Sequence, residues 1–230
     1  MTMSIQENYD IKTIYELFDQ IGCCTFATID GEYPETRIAH FLVYDEEGIY
    51  FMTMNTKPFY KQLKACGKVS VCGLAAATQV VTTEDNLLEF DPGYFIRLTG
   101  DVREVTIDEI KAKNNPAFRY CIEDNERYPA MTAFVIYRAR GEVFDYDFDK
   151  IHRDHKLERR RFGYGGLEYE PAGLTILPDK CIGCGVCQKG CSFVAIEPDG
   201  DKFRINPDRC DECGDCFTHC PAGAIRHKGL

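Results

Sequence analysis

The sequence predicts a mainly β protein with some α-helix: an antiparallel β-barrel followed by a small, cysteine-rich α+β domain. Seven short strand-like runs lie within residues 23–148, and no Gly-x-Gly-x-x-Gly motif follows any of them, which favours a small barrel over a dinucleotide-binding sheet. Eight of the 13 cysteines then lie within residues 181–220, which is too regular for scatter. A chain of 230 residues is long enough for a medium domain and a small one.

One amphipathic helix opens the barrel region. Asp10 is a typical N-cap residue, and the apolar pattern stops at Gly22, a typical helix end. The sequence therefore predicts a helix over residues 11–21. The apolar residues that recur at helical spacing are Ile11, Ile14, Tyr15, Phe18 and Ile21.

The strand-like runs are separated by turn signals. Asp30-Gly31 and the run from Asp45 to Gly48 are typical hairpin connections, so we expect the first three strands to form an antiparallel meander. The predicted strands cover residues 23–30, 36–44, 49–54, 69–75, 94–105, 131–138 and 141–148.

The end of the third strand and the start of the next helix offer groups that suit a phosphate. Thr53, Asn55 and Thr56 supply hydroxyl and amide groups, and Lys57 supplies a positive charge. The helix predicted from Pro58 onward begins with N–H groups that have no partner inside the helix. A simple threonine-capped helix would give the same pattern, so both interpretations stay open.

Five motifs occur in order within residues 8–148. They are Ala27-Thr28-Ile29-Asp30-Gly31, the run from Pro34 to Phe41 that contains Arg37, Asn55-Thr56-Lys57-Pro58, Tyr60-Lys61-Gln62-Leu63 and Arg97-Leu98-Thr99-Gly100. Together they resemble the pyridoxamine 5'-phosphate oxidase-like split barrels, which bind FMN at a dimer interface, although some members bind haem or a deazaflavin instead. The resemblance implies an antiparallel split β-barrel that binds FMN and forms a homodimer.

The same resemblance implies which residues hold the FMN. We do not expect vitamin B6 oxidase activity, because the family's C-terminal arginine and histidine pattern is not found. His40 is the candidate catalytic residue, as a proton donor, although a strand histidine satisfied by a neighbour would look the same. The phosphate candidates are Arg37, Thr53, Asn55, Thr56 and Lys57, the residues expected beside the isoalloxazine are Ile38, Ala39 and His40, and Gln62 is a further cofactor-binding candidate.

The cysteines of the second domain form an internal repeat. They read Cys181-x2-Cys184-x2-Cys187-x3-Cys191 and, 29 residues later, Cys210-x2-Cys213-x2-Cys216-x3-Cys220. Zinc sites prefer two separated Cys-x2-Cys pairs, whereas three cysteines spaced in this way wrap one face of an iron–sulfur cubane. The spacing favours iron–sulfur clusters, with a zinc module or a degenerate site as the alternative.

This segment resembles the bacterial two-cluster ferredoxins, in which the fourth cysteine of each run serves the other cluster. One departure is that Ser192 follows Cys191, where Pro221 follows Cys220, but Ser192 is not a ligand. The resemblance implies two 4Fe-4S clusters. One would be held by Cys181, Cys184, Cys187 and Cys220, and the other by Cys210, Cys213, Cys216 and Cys191.

Charge and hydropathy argue against two classes of partner. The net charge of −10 arises within residues 1–150, which hold 15 Lys and Arg against 25 Asp and Glu, so no nucleic-acid-binding face is expected. The longest nearly apolar run, residues 69–77, is far shorter than the roughly 20 residues of a membrane span. Residues 1–10 have no basic residue and no apolar run, so we expect no secretory signal and a reducing, anaerobic cytoplasm as the location.

Taken together, these features predict an FMN-dependent iron–sulfur oxidoreductase. It would relay electrons between two 4Fe-4S clusters and FMN to reduce a small-molecule substrate, with a ferredoxin or NAD(P)H as the external electron donor or acceptor. The alternative is a non-enzymatic electron carrier or redox sensor whose barrel is a dimerisation platform. The predicted segments are an FMN-binding split-barrel domain over 1–150, a basic, glycine-containing linker over 151–173 and a two-cluster ferredoxin domain over 174–230.

Overall fold

The computed structural model describes residues 9–75, 80–82, 88–90, 93–146, 159–169 and 173–228. These residues divide into two compact units. Of the described residues, the first unit contains 9–75, 95–142 and 161–169, and the second contains the others. Each unit is therefore built from several stretches of chain, whereas the sequence predicted continuous domains. Residues 151–158 and 170–172 of the predicted linker lie outside the described residues.

The predicted first helix is confirmed as α1 (Ile11–Ile21). The Asp10 side chain accepts a hydrogen bond from the Thr13 backbone N–H at 2.7 Å, which satisfies a free donor of the first turn. Gly22 ends the helix with a φ of 76°, a conformation that glycine adopts without a steric penalty. Ile14 and Phe18 are buried, so the apolar face packs on the sheet as its spacing predicted.

A large antiparallel sheet dominates the first unit. In chain order the next elements are β1 (Cys24–Asp30), β2 (Tyr33–Ala39), β3 (Val43–Tyr44), β4 (Ile49–Met54), α2 (Pro58–Cys66), β5 (Lys68–Ala75), β6 (Val80–Thr82), β7 (Leu88–Phe90), β8 (Gly93–Val105), α3 (Ile107–Ala112), a 3-10 turn (Pro116–Phe118), α4 (Arg119–Arg127), β9 (Met131–Tyr146) and β10 (Arg159–Tyr164). Of these, β6 and β7 belong to the second unit and pair with each other. The strand order of the large sheet is β2-β1-β5-β8-β9-β4-β3, and β10 pairs with β9. β1 runs antiparallel to β2 and β5, and β4 runs antiparallel to β3 and β9, so the mainly β, antiparallel class is confirmed.

The predicted meander of the first three strands is wrong. The run 36–44 is not one strand, because β2 ends at Ala39 and β3 begins at Val43, and these two strands lie at opposite ends of the sheet order. Between them Phe41 is buried, with its ring centroid 5.0 Å from that of Phe18 and 5.1 Å from that of Phe26. Burial of this aromatic ring turns the chain inward, a non-local effect that strand propensity does not record.

Two further predictions, both for residues after 130, differ from the structure. The runs predicted at 131–138 and 141–148 belong to one strand, β9, although residues 147 and 148 lie outside the described residues. Gly141 does not break this strand; it allows a close approach, since a Cβ there would collide with the Arg97 carbonyl oxygen and the Phe162 ring. The predicted linker also contains a strand, β10, that pairs with β9.

An aromatic core lies beneath the sheet and fixes the start of α2. Phe51 on β4 stacks against Phe134 on β9 and against Phe59 on α2, each with ring centroids 5.8 Å apart. Phe26 on β1 and Phe51 are fully buried. The first turn of α2 is therefore held against the sheet by contacts between aromatic rings. Such contacts stabilise a fold by more than the burial of apolar area alone.

A partly buried ion-pair network joins the β3–β4 turn to the end of α3. Lys113 Nζ lies 2.7 Å from Asp45 Oδ2 and 3.0 Å from Glu47 Oε2, and the Tyr50 hydroxyl donates to Asp45 at 3.2 Å. Burial opposes the charge on Lys113, but its hydrogen bonds to Asp45, Tyr50 and Glu47 hold its pKa above the usual value. Removal of the Lys113 cation would leave the buried Asp45 without compensation, whereas Glu47 would keep Arg103 at 2.6 Å.

The cysteine-rich segment of the second unit is a pseudo-symmetric pair of halves. The 29-residue offset of the sequence carries β11, α5 and β12 onto β13, α6 and β14. The pairing is exchanged between halves, because β11 pairs with β14 and β12 pairs with β13. These elements are β11 (Gly173–Ile176), α5 (Val186–Lys189), β12 (Ile196–Asp199), β13 (Lys202–Ile205), α6 (Asp215–His219) and β14 (Ile225–Lys228).

Within the described part of the chain, no helix has the length and apolar character needed to cross a membrane.

Candidate functional site

The eight cysteines of the repeat form two groups, each around its own cavity. The first cavity is lined by Cys181, Cys184, Cys187 and Cys220. The second cavity is lined by Cys191, Cys210, Cys213 and Cys216. Each group takes its fourth cysteine from the other run, which is the grouping that the ferredoxin resemblance implies, while ligation itself stays a prediction.

The exchanged strand pairing explains how the fourth cysteine reaches the other group. Cys191 precedes β12, and β12 pairs with β13, which leads into the second cysteine run. Cys220 precedes β14, which pairs with β11 at the start of the first run. The strand ladders thus carry each of these cysteines to the opposite half.

Apolar side chains and backbone amides surround the sulfur atoms. Ile176 and Ile225 line the first cavity, and Ile196 lines the second. At repeat-equivalent positions, the Ala195 N–H donates to Cys191 Sγ at 3.4 Å and the Ala224 N–H donates to Cys220 Sγ at 3.3 Å. Amide donors aimed at sulfur in an apolar shell are the means by which proteins set cluster potentials.

The electrostatics of the cysteines favour a positively charged occupant. Burial, together with Cys210, Cys191 and Cys213, raises the pKa of Cys216 to about 11. Burial and the neighbouring Cys184 and Cys220 likewise raise the pKa of Cys187.

Four crowded thiols of this kind lose their protons together when metal cations compensate the thiolate charges. Among the described residues, no three His, Cys, Asp or Glu side chains converge as the ligands of a single metal ion would. Four cysteines line each of the two cavities, which is the number of sulfur ligands that a cubane cluster needs.

The first unit contains a cleft of about 680 Å³ beside β2 and the start of α2. Small-molecule pockets typically measure about 300–1,000 Å³, so the size suits a cofactor. Asn55 and Thr56 are exposed and do not line it. The sequence candidates that line it are Arg37, Ile38, Ala39, His40, Thr53, Lys57 and Gln62.

Arg37 is fixed in this cleft by hydrogen bonds and ring stacking. Its Nη1 donates to Thr28 Oγ1 at 2.5 Å, its Nη2 donates to Gln62 Oε1 at 2.7 Å, and its guanidinium lies 4.3 Å from the centre of the Phe59 ring. Gln62 is buried, accepts a second hydrogen bond from Thr28 at 2.6 Å and donates to Asp30 at 3.1 Å. The Gln62 side chain therefore holds the Arg37 guanidinium in position through this hydrogen bond.

The charge of Arg37 persists in this environment. Burial lowers the pKa of Arg37, while the nearby Glu35 and Asp30 oppose that effect. A guanidinium stays protonated in proteins and offers five N–H donors, of which the bonds to Thr28 and Gln62 use two. A rigid fork with donors to spare suits a phosphate or carboxylate.

The start of α2 adds an anion-binding feature to the same cleft. Lys57 occupies the N-cap position, is exposed and lines the cleft, and Pro58 is the first helical residue. No side chain caps this helix, so the threonine-capped interpretation is wrong. The turn before it is closed by the backbone, since the Asn55 N–H donates to the Ala130 carbonyl at 2.8 Å and the Lys57 N–H donates to the Met54 carbonyl at 3.0 Å.

The residues expected beside an isoalloxazine follow one another along the cleft edge. Ile38 is 67% exposed on β2, a large apolar side chain open to a ligand, and Ala39 ends that strand. His40 is exposed and lies in the break between β2 and β3, not within a strand as the sequence predicted. Thr53, near the end of β4, is buried and borders the same cleft.

Sequence reasoning missed Thr28 and Phe59, which hold Arg37 in place. The two-residue turn after Asp30 sets the β1–β2 register, in which Phe26 faces Arg37 and Thr28 faces Glu35. Residues diagonal to each other across such a pair share one face, so Thr28 and Arg37 lie together once this register is known. Phe59 gave no signal beyond its place in the predicted helix.

The comparison with protein families identifies the cysteine-rich segment. Residues 168–224 match the family described as a 4Fe-4S dicluster domain. The resemblance of this segment to iron–sulfur ferredoxins is thereby confirmed, as is the predicted small ferredoxin domain. No curated protein matches the chain.

Several solved structures resemble the chain. A NimC/NimA family protein from Clostridium acetobutylicum is 21% identical, with 67% of this chain and 92% of that chain covered and a TM-score of 0.47. An FAD-binding protein from Mesorhizobium loti is 12% identical, with 61% and 97% covered and a TM-score of 0.42. A haem-binding protein from Mycobacterium smegmatis is 14% identical, with 69% and 59% covered and a TM-score of 0.41.

Proposed function

We propose that this protein is an FMN-dependent iron–sulfur oxidoreductase that relays electrons between two 4Fe-4S clusters and FMN to reduce a small-molecule substrate. The observation that carries the proposal is the arrangement of eight cysteines in two groups of four around two cavities, in a chain that also has a cofactor-sized cleft with a fixed arginine. When bound, iron–sulfur clusters supply single electrons and a flavin delivers a pair as a hydride.

In this proposal the cleft residues bind and orient the FMN. Arg37 and Lys57 meet its phosphate near the start of α2, where the first-turn N–H groups add donors. Thr53 borders this position, and Asn55 and Thr56 shape the turn that presents Lys57. A fixed guanidinium loses little further freedom on binding, which raises affinity.

Ile38, Ala39 and His40 form the edge on which the ring system and the substrate meet. Ile38 offers exposed apolar surface, and the exposed imidazole of His40 is the proton donor to the reduced substrate. The cleft also carries the carboxylates Asp30, Glu35 and Asp124, so it is not a purely anion-binding site.

The protein is further proposed to have an electron-exchange partner, a second copy of the chain and a defined cellular location. A ferredoxin or NAD(P)H exchanges electrons with the protein, a second copy of the chain packs on the sheet of the first unit, and the protein works in an anaerobic cytoplasm. A dimer would cover apolar side chains that are exposed on β1 and β2, where Ile29 is 51% and Ile38 is 67% exposed.

The decisive experiment is anaerobic purification followed by iron and flavin determination on the same sample. We expect about eight iron atoms and one FMN per chain. Arg37→Ala is expected to lose FMN while keeping its iron, and Arg140→Ala, which removes an exposed arginine from β9, is expected to keep both. Iron without flavin in the wild type would contradict the enzyme and favour an electron carrier or redox sensor, or a barrel that binds haem or a deazaflavin.

A further inference from the structure

The two cysteine runs share a left-handed backbone conformation at one equivalent position, but the residue there differs between them. Gly183 has a φ of 68°, and its repeat equivalent Glu212 has a φ of 62°. A glycine adopts this left-handed conformation freely, whereas another residue costs roughly 1–2 kcal/mol. A glutamate at this position therefore needs contacts that hold it there.

Arg159 provides such contacts. This residue begins β10, and its side chain is 8% exposed. Its guanidinium lies 3.6 Å from Glu212 Oε1 and 3.7 Å from Asp211 Oδ1, and it stacks 4.2 Å from the centre of the Phe144 ring. Its backbone N–H donates to the Asp208 carbonyl at 2.8 Å. The cation is thus fixed both through its backbone and through its side chain.

The opposite side of Glu212 is also in close contact. A Cβ added at Gly173 would lie 3.0 Å from Glu212 Oε1 and 3.1 Å from its Cγ, so a larger residue there would press on this side chain. The backbone N–H of Glu212 in turn donates to Cys210 Sγ at 3.4 Å. Arg159 therefore holds the residue whose amide faces a sulfur of the second cysteine group.

The charges around the two groups differ as well. The first loop has Ile182, Gly183 and Val186 where the second has Asp211, Glu212 and Asp215. Three carboxylates beside a site of the same ligand spacing oppose the addition of an electron there. A buried guanidinium beside two of them offsets part of that effect.

We propose that Arg159 is a positioning residue for the second cysteine group, and that its charge raises the reduction potential of the cluster bound there. The inference rests on the proposed function, since it requires a cluster in each cavity. Reduction adds negative charge to a cluster, so a fixed cation nearby stabilises the reduced form. Arg159 also holds the Glu212 backbone N–H against the Cys210 sulfur, and this hydrogen bond likewise raises the reduction potential.

The test is an anaerobic redox titration followed by electron paramagnetic resonance, with iron determination on each sample. Arg159→Gln is expected to lower one of the two midpoint potentials by at least about 59 mV, which is a tenfold change in the equilibrium constant of a one-electron reduction. Glu212→Gln is expected to raise the same midpoint potential. Arg159→Lys, which keeps the positive charge, is expected to have a midpoint potential close to that of the wild type.

The control is Arg204→Gln. Arg204 is 62% exposed and pairs with Glu197 on the neighbouring strand, so its removal should move neither midpoint. Unchanged midpoints in Arg159→Gln with about eight iron atoms per chain would overturn the inference and leave the two-cluster proposal standing. An equal shift of both midpoints would overturn it too.

If Arg159→Gln loses iron, the other two variants decide whether the inference holds. In that case Glu212→Gln must still raise one midpoint and Arg159→Lys must retain both clusters, and failure of either result overturns the inference. A wild-type chain with about four iron atoms would contradict the two-cluster proposal directly, before any variant is compared.

Discussion

Arg37 on β2 and Gln62 on α2 are joined by a hydrogen bond of 2.7 Å, from Nη2 to Oε1, across the cleft of the first unit. The same Gln62 oxygen accepts from Thr28, so one buried amide ties together two strands and a helix. Because α2 starts at Pro58, this bond fixes Arg37 relative to the helix start that is proposed to meet the phosphate.

Gln62→Leu is expected to weaken FMN binding about tenfold, because Arg37 loses the acceptor that orients it. The measurement is the FMN dissociation constant by fluorescence quenching. Lys61→Gln, an exposed neighbour on the same helix, should bind FMN as the wild type does. An unchanged dissociation constant in Gln62→Leu would mean that Arg37 is oriented without this bond.

Lys57→Ala is expected to raise the FMN dissociation constant about threefold to tenfold and to reduce its dependence on salt, since an exposed cation acts through a screened interaction. Lys64→Ala is the matched control, because this lysine of the same helix pairs with Glu104 at 2.9 Å. A salt dependence equal to that of the wild type in Lys57→Ala would argue against a role at the phosphate.

Cys220→Ser is expected to remove the same cluster as Cys184→Ser, although these cysteines belong to different runs, because they line one cavity. Cys191→Ser should match Cys213→Ser for the same reason. Each variant should retain about four iron atoms, and the midpoint potential of the remaining cluster identifies the group that was lost. Cys66→Ser, outside both groups, should keep about eight. The grouping is wrong if Cys220→Ser instead leaves the same midpoint as Cys213→Ser.

Lys113→Met is expected to lower the free energy of unfolding by about 3 kcal/mol, because it leaves the buried Asp45 without its cation and leaves Glu47 paired with Arg103, 2.6 Å away. Urea denaturation measures the change. Lys111→Met removes a half-exposed lysine whose partner Glu126 lies 3.8 Å away, so its effect should stay within about 0.5 kcal/mol. Equal effects of the two variants would show that the network contributes little.

Acid is expected to destabilise the first unit through Glu47. Burial raises the pKa of Glu47, but hydrogen bonds from Lys113, Arg103 and Tyr50 outweigh it and hold the pKa below its usual 4.5. A carboxyl whose pKa is lowered by folding contributes stability above pH 4.5, and that contribution is lost as the pH falls below this value.

The measurement is the urea midpoint between about pH 6 and pH 3. Glu47→Gln should flatten the decrease in this range, whereas Glu46→Gln, which changes an exposed neighbour, should leave it unchanged. A decrease of equal slope in Glu47→Gln and the wild type would assign the acid sensitivity to other carboxyls.

Several features of the fold could be predicted from the sequence because they depend on neighbouring residues. Asp10 and Gly22 cap the two ends of α1, and the turn after Asp30 sets the β1–β2 hairpin. The break at His40 could not be predicted, since it depends on burial of Phe41 among rings from distant elements. The strand at Arg159 was missed because a basic, glycine-containing stretch resembles a linker until its partner strand is known.

The sequence by itself determined the cysteine spacing, the 29-residue repeat and the residue types that surround the proposed phosphate. The tertiary structure decided how they are used. Exchange of strand pairing between the halves brings Cys220 beside Cys181, and helix packing brings Gln62 to Arg37. Spacing along a chain sets which residues can act together locally, but contacts between distant segments arise when separate elements bury their apolar faces against one another.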